Sequence, residues 1–530
     1  MREAYYRSNQ RLLASSEGTS SAAGDRMGTV VILLAILFSV VSFAYFYIEN
    51  LTLTYGDAVT HLNIARRVFD NITPGLAQFG GIWLPLPHVL MIPFVWFDPL
   101  WRSGIGGSIV SMVAYIFSSL FIYGSVKEVT SDRWAGLVGA LLFMASPSMM
   151  YMQTTPMTEP LLIGTSLMAL YNLVRWGTSL HLSYLYLVSL GVFLATLSRY
   201  DGWVLIPAIA LCIGIIGMKT SGPPLAEGSA LSFMSLAIYG VFLWVFYNWT
   251  VFGDPLNFAL GKGSASSYAQ QFAEEVGITP KGDALLSLQI YGWTMIDVMG
   301  WLAVPVITLG AILYAKQRGL QARYVAGYAF LAPVAFNVFT LFAGQSVLSS
   351  THMPPFLSYN VRYGLMGLPA LAFFGGYLAA GRRWRKALIV SLFLIQACVF
   401  WPVRSMPILA EPIQAAAVME DKMMGVTHAL QTNYAGGKIL ISAGSNDRLI
   451  FNLNIPLKEI LFEGNHPYWD ISLDHPSTYA TWVLMNTVGP GDDVFVAMQR
   501  SPDFATDFDR VYGNDAYQLY RNRKVPELIR

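Results

Sequence analysis

The chain has 530 residues, of which 54% are hydrophobic and only 12% are charged. Soluble domains carry roughly 25% charged residues, so this composition indicates a polytopic membrane protein. The formal net charge of +1 predicts no bulk attraction to nucleic acid, and the two cysteines, Cys212 and Cys398, lie in apolar runs that suggest neither a disulfide framework nor a thiolate metal site.

The first apolar run, residues 27–47, contains no charged residue and is long enough to span a bilayer. It lacks a small-x-small cleavage site after a short apolar core, which predicts an uncleaved first helix rather than a removed signal peptide. Similar runs recur along the chain and predict a polytopic α-helical fold with about eleven transmembrane helices. The predicted spans lie near residues 28–48, 105–125, 134–150, 160–175, 183–198, 203–218, 230–250, 298–315, 324–345, 364–380 and 387–403.

Basic residues are distributed unevenly between the two sides of these predicted helices. With the N-terminus inside, the cytoplasmic loops are short and rich in arginine and lysine, as in the run Arg382–Lys386, whereas the opposite loops are longer and poor in both. This asymmetry is the positive-inside signature. It predicts a multi-pass protein of the plasma membrane, assumed prokaryotic, with a cytoplasmic tail over 1–27, a transmembrane domain over 28–404 and an extracytoplasmic domain over 405–530.

The polar motifs of the chain fall almost entirely in the predicted outer loops. They read "YGDAVTH", "TTPMTEPL", "SRYDGW", "FGDPLNF" and "STHMPPFLSYNVRYG". A channel or transporter would more often place ionisable residues near the bilayer centre, and the predicted helix centres are almost free of charge. The pattern therefore predicts a site at one membrane surface rather than a path through the membrane.

Two carboxylates in these loops are candidate catalytic groups. Asp57 begins an amphipathic stretch in the first outer loop, residues 50–104, which predicts interfacial helices. Glu159, in "MTEP", is the only charged residue in the turn between two predicted spans. Each carboxylate suits a helix N-terminus, so capping is one interpretation. The other is catalysis, since a carboxylate at the membrane boundary can take a proton from an attacking hydroxyl as a general base.

Two arginines in separate outer loops are candidate contacts for a lipid phosphate. Arg199 lies in "SRYDGW" and Arg362, followed by Tyr363, lies in "YNVRYG". The planar guanidinium fork suits phosphate oxygens. Asp201 could instead neutralise Arg199 locally, and either arginine could serve as a snorkelling anchor at the membrane surface.

The remaining polar candidates are a lysine and three histidines. The outer loop 252–297 contains a Gly- and Ser-rich stretch that predicts a mobile lid, from which Lys262 could reach an anion or remain solvated. His61, His88 and His352 could support the site, although any single one of them is more often a hydrogen-bonded structural histidine than a ligand. No metal-binding spacing such as HExxH occurs, so metal ligands cannot be assigned from the sequence.

From about residue 405 the composition changes, because charges return and apolar runs become short. "GGKILISAG", "DDVFVAMQ" and "AYQLYRN" predict strands, and "YATWVLMNTVGPGD" predicts a helix or a strand that ends at a Gly-Pro-Gly turn. These elements predict a small α/β domain. The sequence leaves three functions open for this domain, namely acceptor binding, packing over the site and contact with a partner.

The order and common sidedness of the motifs over about residues 28–400 resemble the GT-C superfamily of integral-membrane glycosyltransferases. The matching segments are "YGDAVTHLNIARRVF", "WLPLPHVL", "MTE", "SRYDGW", "FGDPLNF" and "VRYGLMGLP". The chain looks most similar to the dolichyl-phosphate-mannose–protein mannosyltransferase and aminoarabinose-transferase type. A second acidic residue does not follow Asp57, and the "WWDYG"-type motif of oligosaccharyltransferases is absent. The resemblance implies the GT-C fold, Asp57 as base or acceptor-positioning group, and donor-phosphate contacts at Arg199 and Arg362.

The sequence thus predicts an inverting glycosyltransferase that moves a hexosyl or pentosyl group from a polyprenyl-phosphate donor to a hydroxyl of a protein, lipid or glycan acceptor. The reaction is expected on the extracytoplasmic face, beside membrane lipids and without nucleic acid. A divalent cation (Mg, Mn or Ca) is left open as a cofactor. Two alternatives are a transporter or flippase of lipid-linked saccharides and a non-catalytic membrane assembly protein.

Overall fold

The computed structural model describes residues 25–261, 263–277, 279–399, 406–444, 446–488, 491–502 and 504–524. Every predicted span overlaps a helix. The long helices of this part are Arg26–Ile48, Ile105–Thr130, Arg133–Met144, Glu159–Ser179, Leu182–Thr196, Leu205–Thr220, Pro223–Ala237, Tyr239–Phe252, Ala284–Met299, Ala303–Arg318, Ala332–Phe342, Leu368–Ala379 and Arg383–Val399. Between them lie the shorter helical segments Pro147–Met152, Tyr200–Val204, Ala322–Val325, Ala326–Leu331 and Val361–Gly367.

Five helices in the described part of the chain are long and apolar enough to cross a bilayer by length and composition. The number is six if Ala284–Met299 and Ala303–Arg318, which meet at 110°, form one broken span. Others are shorter, since Arg133–Met144 has 12 residues and Leu182–Thr196 has 15. The polytopic helical class is therefore confirmed, whereas the count of about eleven spans stays a prediction.

Small residues bring the helices of this bundle close together. A Cβ atom on Gly191 would lie 2.7 Å from the backbone nitrogen of Ala169, and one on Gly139 would lie 2.9 Å from the carbonyl oxygen of Ala372. Helices in a bilayer gain little from burying apolar surface, so they associate mainly where small side chains allow close van der Waals packing. The bundle is thus a rigid support for the loops that join its helices.

The loop after the first helix is itself helical, with segments Gly56–Arg67, Leu76–Phe79, Leu86–Val95 and Asp98–Arg102. The first of these, which we name the Asp57 helix, is largely buried rather than open on one side. Its side chains Val59, Leu62 and Ala65 belong to one buried cluster with Leu449 and Ile450 of the C-terminal domain. A placement of this loop in the membrane interface stays a prediction.

The predicted lid segment contains the helices Asn257–Leu260 and Ala265–Val276, followed by Ala284–Met299. The sequence placed the start of the next span at about residue 298, but the chain is already helical from Ala284. Tyr291 and Thr294 of that helix are buried, and the Tyr291 hydroxyl donates to the carbonyl oxygen of Tyr363. Apolar burial thus begins earlier than the hydropathy pattern indicated, and a lid function for the remainder stays a prediction.

A small α/β domain follows the helix Pro407–Asn433, which we name the connecting helix. Its five-stranded sheet has the order β2-β1-β3-β5-β4. β1 (Ile439–Leu440) is parallel to β2 (Ile460–Leu461) and β3 (Trp482–Asn486), whereas β5 (Tyr517–Asn522) is antiparallel to β3 and to β4 (Phe508–Gly513). The short helices of the domain are Asp447–Asn452, Tyr468–Asp474, Pro476–Tyr479, Asp493–Met498 and Phe504–Asp507.

The small α/β domain is confirmed, but one of its predicted strands is wrong. "DDVFVAMQ" forms the helix Asp493–Met498. The Asp492 side chain accepts a hydrogen bond from the backbone N–H of Phe495 and caps this helix. Val494 and Met498, four residues apart, are both buried on one side of it. A short apolar run between charged residues does not by itself distinguish these two structures.

The C-terminal domain is fixed to the Asp57 helix by a buried ion pair. Arg67, at the end of that helix, donates to the Asp447 carboxylate, and both side chains are buried. The Asn63 side-chain amide donates to the same carboxylate at 3.1 Å. Removing one partner of a buried pair leaves the other charge without compensation, which is strongly destabilising.

We expect Asp447→Ala to lower the free energy of unfolding by about 3 kcal/mol, because it leaves the Arg67 guanidinium buried and unpaired. Thermal unfolding of the purified protein in detergent measures the effect. Asp470→Ala is the matched control, since its carboxylate is exposed and pairs with the exposed His466. Equal melting temperatures for the two variants would contradict a stabilising role for the Arg67–Asp447 pair.

Candidate active site

Arg362 joins the two carboxylates that the sequence singled out. Its Nη2 donates to Asp57 Oδ2 at 2.6 Å, and its Nε donates to Glu159 Oε1 at 3.0 Å. Asp57 lies in the first turn of the Asp57 helix, Glu159 begins the helix Glu159–Ser179, and Arg362 lies in the first turn of Val361–Gly367. Three loops that are far apart in the sequence therefore meet at one point on the same side of the bundle.

A second arginine binds the same carboxylate oxygen. Arg199 Nη1 donates to Glu159 Oε1 at 3.1 Å and to Thr158 Oγ1 at 3.0 Å. Its Nε donates to Asp201 Oδ2 at 3.3 Å, so the local Arg199–Asp201 pair considered from the sequence is present. This pair is part of a larger carboxylate–arginine cluster, formed by Asp57, Glu159, Arg199, Asp201 and Arg362.

Exposure to solvent varies across the cluster. The Glu159 side chain is 0% exposed, that of Arg362 is 8% exposed and that of Asp57 is 38% exposed. Asp57 therefore lies at the open end of the cluster, where a substrate can reach it, and Glu159 lies at the closed end. Glu159 Oε2 has no hydrogen-bond partner among the described residues. Glu159 is thus enclosed, and both arginines bind its other oxygen, Oε1.

Carboxylates outnumber guanidinium groups in the cluster by three to two. Burial opposes the charged form of each arginine, but the neighbouring carboxylates outweigh it and raise the pKa of both Arg199 and Arg362. Both arginines thus stay protonated, and each already contacts two carboxylates. An anion can bind these guanidinium groups only by displacing a carboxylate, or together with positive charge supplied from elsewhere.

Tyrosine rings flank the guanidinium groups. Arg362 Cζ lies 5.0 Å from the ring centroid of Tyr55 and 5.5 Å from that of Tyr363. Arg199 Cζ lies 4.9 Å from the Tyr363 ring, so this tyrosine contacts both arginines. Such cation–π contacts restrict the planes of the guanidinium groups as well as stabilising them.

Two of the predicted supporting histidines form a pair beside the cluster. His61 lies four residues after Asp57 on the same helix, and its Nδ1 shares a hydrogen bond of 2.9 Å with His88 Nε2. Its ring packs on Trp83 at a centroid distance of 4.5 Å. Burial and the positive charges of Arg199 and Arg362 lower the pKa of His61 to about 3. This imidazole is therefore neutral at physiological pH and adds no positive charge for a phosphate.

The third predicted histidine, His352, does not join the cluster. His352 Nδ1 lies 2.9 Å from the buried carboxylate of Asp297, and its ring stacks on Trp293 at 4.7 Å. This arrangement gives His352 a separate polar and aromatic environment, as expected for a structural histidine. Lys262 lies outside the described residues.

No group of three His, Cys, Asp or Glu side chains able to hold a metal ion occurs among the described residues. The carboxylates of the cluster are bound instead to guanidinium groups. The residues that the structure describes therefore do not form a ligand set for the divalent cation that the sequence left open.

The structure adds residues to the site that the sequence did not single out. Asn337 donates from its Nδ2 to Asp201 Oδ1 at 3.3 Å, and Thr158 and Tyr55 contact the arginines as described above. Glu411, from the connecting helix, accepts hydrogen bonds from the backbone beside Arg362. Tyr55 and Thr158 lie within the quoted motifs "YGDAVTH" and "TTPMTEPL" and could have been predicted, whereas no motif in the sequence marks Glu411.

Comparison with known proteins finds a family model that matches part of the chain. Residues 102–245 match the family model described as dolichyl-phosphate-mannose-protein mannosyltransferase. No curated protein sequence matches the chain.

Solved structures match over nearly the whole chain. ArnT from Cupriavidus metallidurans bound to undecaprenyl phosphate is 11% identical, with a TM-score of 0.57 over 94% of this chain and 98% of ArnT. The apo state of ArnT is 10% identical, with a TM-score of 0.55 over 91% and 97%. The chain therefore has the GT-C membrane fold and resembles the GT-C membrane glycosyltransferases, as the order of its motifs predicted.

Proposed function

We propose that the protein is a membrane glycosyltransferase that takes a sugar from a polyprenyl-phosphate donor and transfers it to an acceptor hydroxyl on the extracytoplasmic face. The observation that carries this proposal is the bridge from Arg362 to Asp57 and Glu159 in a chain with the GT-C fold. The undecaprenyl phosphate bound to ArnT and the family match support the donor class. Proteins, lipids and glycans are the acceptor classes consistent with a membrane-surface site.

Asp57 is the proposed general base. Its carboxylate is the most exposed of those bound to the arginines and so can contact an acceptor hydroxyl. As the acceptor oxygen attacks the anomeric carbon, its proton passes to Asp57. The bond between the anomeric carbon and the phosphate oxygen breaks, and the phosphate leaves with the electron pair. A single displacement of this kind inverts the anomeric configuration.

The arginines are proposed to stabilise the leaving phosphate. Both are already compensated by carboxylates, so the donor phosphate is expected to compete with Asp57 for the Arg362 guanidinium. When the phosphate replaces Asp57 at the Arg362 guanidinium, the Asp57 carboxylate becomes free to bind the acceptor hydroxyl. Lys262, which the sequence places in the predicted lid, is a further candidate for the positive charge that the phosphate needs.

Glu159 is proposed to fix the arginines rather than to transfer protons. One of its oxygens accepts from both Arg199 and Arg362, and the side chain is fully buried. A group in this position holds two positive charges close together, in spite of their mutual repulsion. We therefore propose a structural and electrostatic role for Glu159, whereas the sequence predicted a catalytic one.

We expect Asp57→Asn to lower sugar transfer at least about 100-fold, because general-base catalysis contributes factors of that size. The amide keeps the size of the side chain and can still accept from Arg362, so folding should persist. Transfer from a polyprenyl-phosphate sugar to acceptors in membrane vesicles is the measurement. Asp98→Asn, in the same loop but paired with Arg66, is the matched control and should transfer normally.

The same variant separates the proposal from its alternatives. A flippase should keep moving lipid-linked saccharide across vesicle membranes after Asp57→Asn, since the change retains size and hydrogen bonding. Full sugar transfer by Asp57→Asn would exclude Asp57 as the base. Absence of transfer by the wild-type protein with any polyprenyl-phosphate sugar would argue against the glycosyltransferase itself.

We expect Arg199→Lys and Arg362→Lys each to weaken undecaprenyl phosphate binding about tenfold. Lysine keeps the charge but cannot place two N–H groups on one planar fork, and a charge-assisted hydrogen bond contributes about 1.5–3 kcal/mol. The measurement is a binding titration in detergent, with undecaprenol as the ligand that lacks phosphate. Arg102→Lys is the control, because Arg102 pairs with Asp98 outside the cluster. Unchanged phosphate affinity in both variants would remove the arginines from the donor site.

A further inference from the structure

The connecting helix contacts the backbone on which Arg362 is mounted. Glu411 Oε1 accepts from the backbone N–H of Asn360 at 2.9 Å, and Oε2 accepts from the N–H of Val361 at 3.0 Å. Both N–H groups lie at the start of the helix Val361–Gly367, directly before Arg362. One carboxylate thus holds two consecutive peptide groups.

These two N–H groups need a partner from elsewhere in the chain. The first N–H groups of a helix have no carbonyl within it to bind. A side chain at the N-cap position usually accepts from one of them, but here the Asn360 side chain donates instead to the carbonyl oxygen of Val347 at 3.0 Å. Asn360 also has a φ of 55°, so the chain reverses sharply at this point. Glu411 supplies the missing acceptor from 50 residues further along the chain.

The same face of the connecting helix supports Arg362 from a second direction. The Tyr55 hydroxyl donates to the carbonyl oxygen of Ile408 at 2.7 Å, and the Tyr55 ring lies against the Arg362 guanidinium. Ile408 and Glu411 are three residues apart, so they lie on one side of the helix. The helix therefore fixes both the backbone that carries Arg362 and the ring on which its guanidinium rests.

We infer that Glu411 is a positioning residue that sets the Arg362 guanidinium between Asp57 and Glu159, and that the connecting helix thereby takes part in glycosyl transfer. This inference rests on the proposed function, because it assigns Glu411 to the same reaction. Glu411 acts through Arg362 and exchanges no proton with the substrate.

A second anchor places the C-terminal domain against the other partner of Arg362. Arg448 donates from its Nη2 to the carbonyl oxygens of Leu53 at 2.9 Å and Thr54 at 2.6 Å, just before the Asp57 helix. Asp447 holds the far end of that helix through Arg67. The domain and its connecting helix thus fix the backbones that carry both Asp57 and Arg362.

Glu411→Gln is the variant that tests the inference. A glutamine has only one oxygen, so it can accept from one of the two N–H groups and presents its own N–H₂ group to the other. We expect sugar transfer to fall about tenfold or more, with a lower kcat, a higher KM for the donor and an unchanged KM for the acceptor. Asp421→Asn is the matched control, because Asp421 is exposed on the same helix and the variant should transfer sugar as the wild type does.

A double-mutant cycle distinguishes positioning from general stabilisation. If Glu411 acts through Arg362, Glu411→Gln should cost little further activity in an Arg362→Lys background. Additive losses, or a loss confined to melting temperature with kcat and KM unchanged, would overturn the inference while leaving the proposed function intact. If the wild-type protein transfers no sugar at all, the proposed function fails first.

Tyr55→Phe provides a second variant if Glu411→Gln does not fold. It removes the hydrogen bond to Ile408 and keeps the ring beside Arg362. We expect a smaller loss of the same kind, with donor KM raised and with no additivity to Arg362→Lys. Wild-type kinetics for Tyr55→Phe, or losses additive with Arg362→Lys, would likewise overturn the role given to the connecting helix.

Discussion

The site depends on one buried oxygen, Glu159 Oε1, that accepts hydrogen bonds from two guanidinium groups. A carboxylate with no exposure to water is strongly destabilising unless it is paired, and two arginines this close repel each other unless a negative charge lies between them. Neither Glu159 nor the arginine pair would therefore be stable in this position alone. The three groups need each other, and this need brings together the loops that carry Glu159, Arg199 and Arg362. Asp57 then completes the arrangement at the exposed end.

This mutual dependence explains why part of the site could be predicted from the sequence. A single charge among apolar residues at a helix end, as at Glu159, has to be paired, and the positive-inside pattern placed its partners on the same predicted side. Asp57, Arg199 and Arg362 were singled out because they lie in predicted outer loops on that side, and the structure brings them together in one cluster with Glu159. The helices were predictable for a related reason, because a span needs a long apolar run. The ends of the helices were less predictable. The helix Ala284–Met299 is an example, because most of its buried residues lie before the hydrophobic run from which the span was predicted.

The residues that escaped prediction are those whose role arises only from distant contacts. Glu411 is one of several acidic residues in a mixed segment, and only the fold brings it to the N–H groups beside Arg362. For His352 the sequence prediction fails in the other direction. Its motif predicted a place in the site, but the contacts with Asp297 and Trp293 hold its ring away from the cluster. The short apolar run in "DDVFVAMQ" is compatible with a strand or a helix. The N-terminal cap that Asp492 provides favours the helix. Sequence spacing carries information about local structure and sidedness, but not about which distant partner satisfies a given polar group.

The charge balance of the cluster gives the C-terminal domain a place in the proposed reaction. The charge of Arg362 is already balanced by Asp57 and Glu159 in the absence of a donor. In the proposed reaction, the phosphate binds Arg362 by replacing the Asp57 carboxylate. An exchange of this kind requires that the guanidinium keep its position while its partners change. Rigid support from the backbone achieves this, and here the support comes from Glu411 and from Tyr55, which the connecting helix holds in turn. A domain without an evident catalytic group can thus determine whether the carboxylate and the guanidinium at the membrane surface act together.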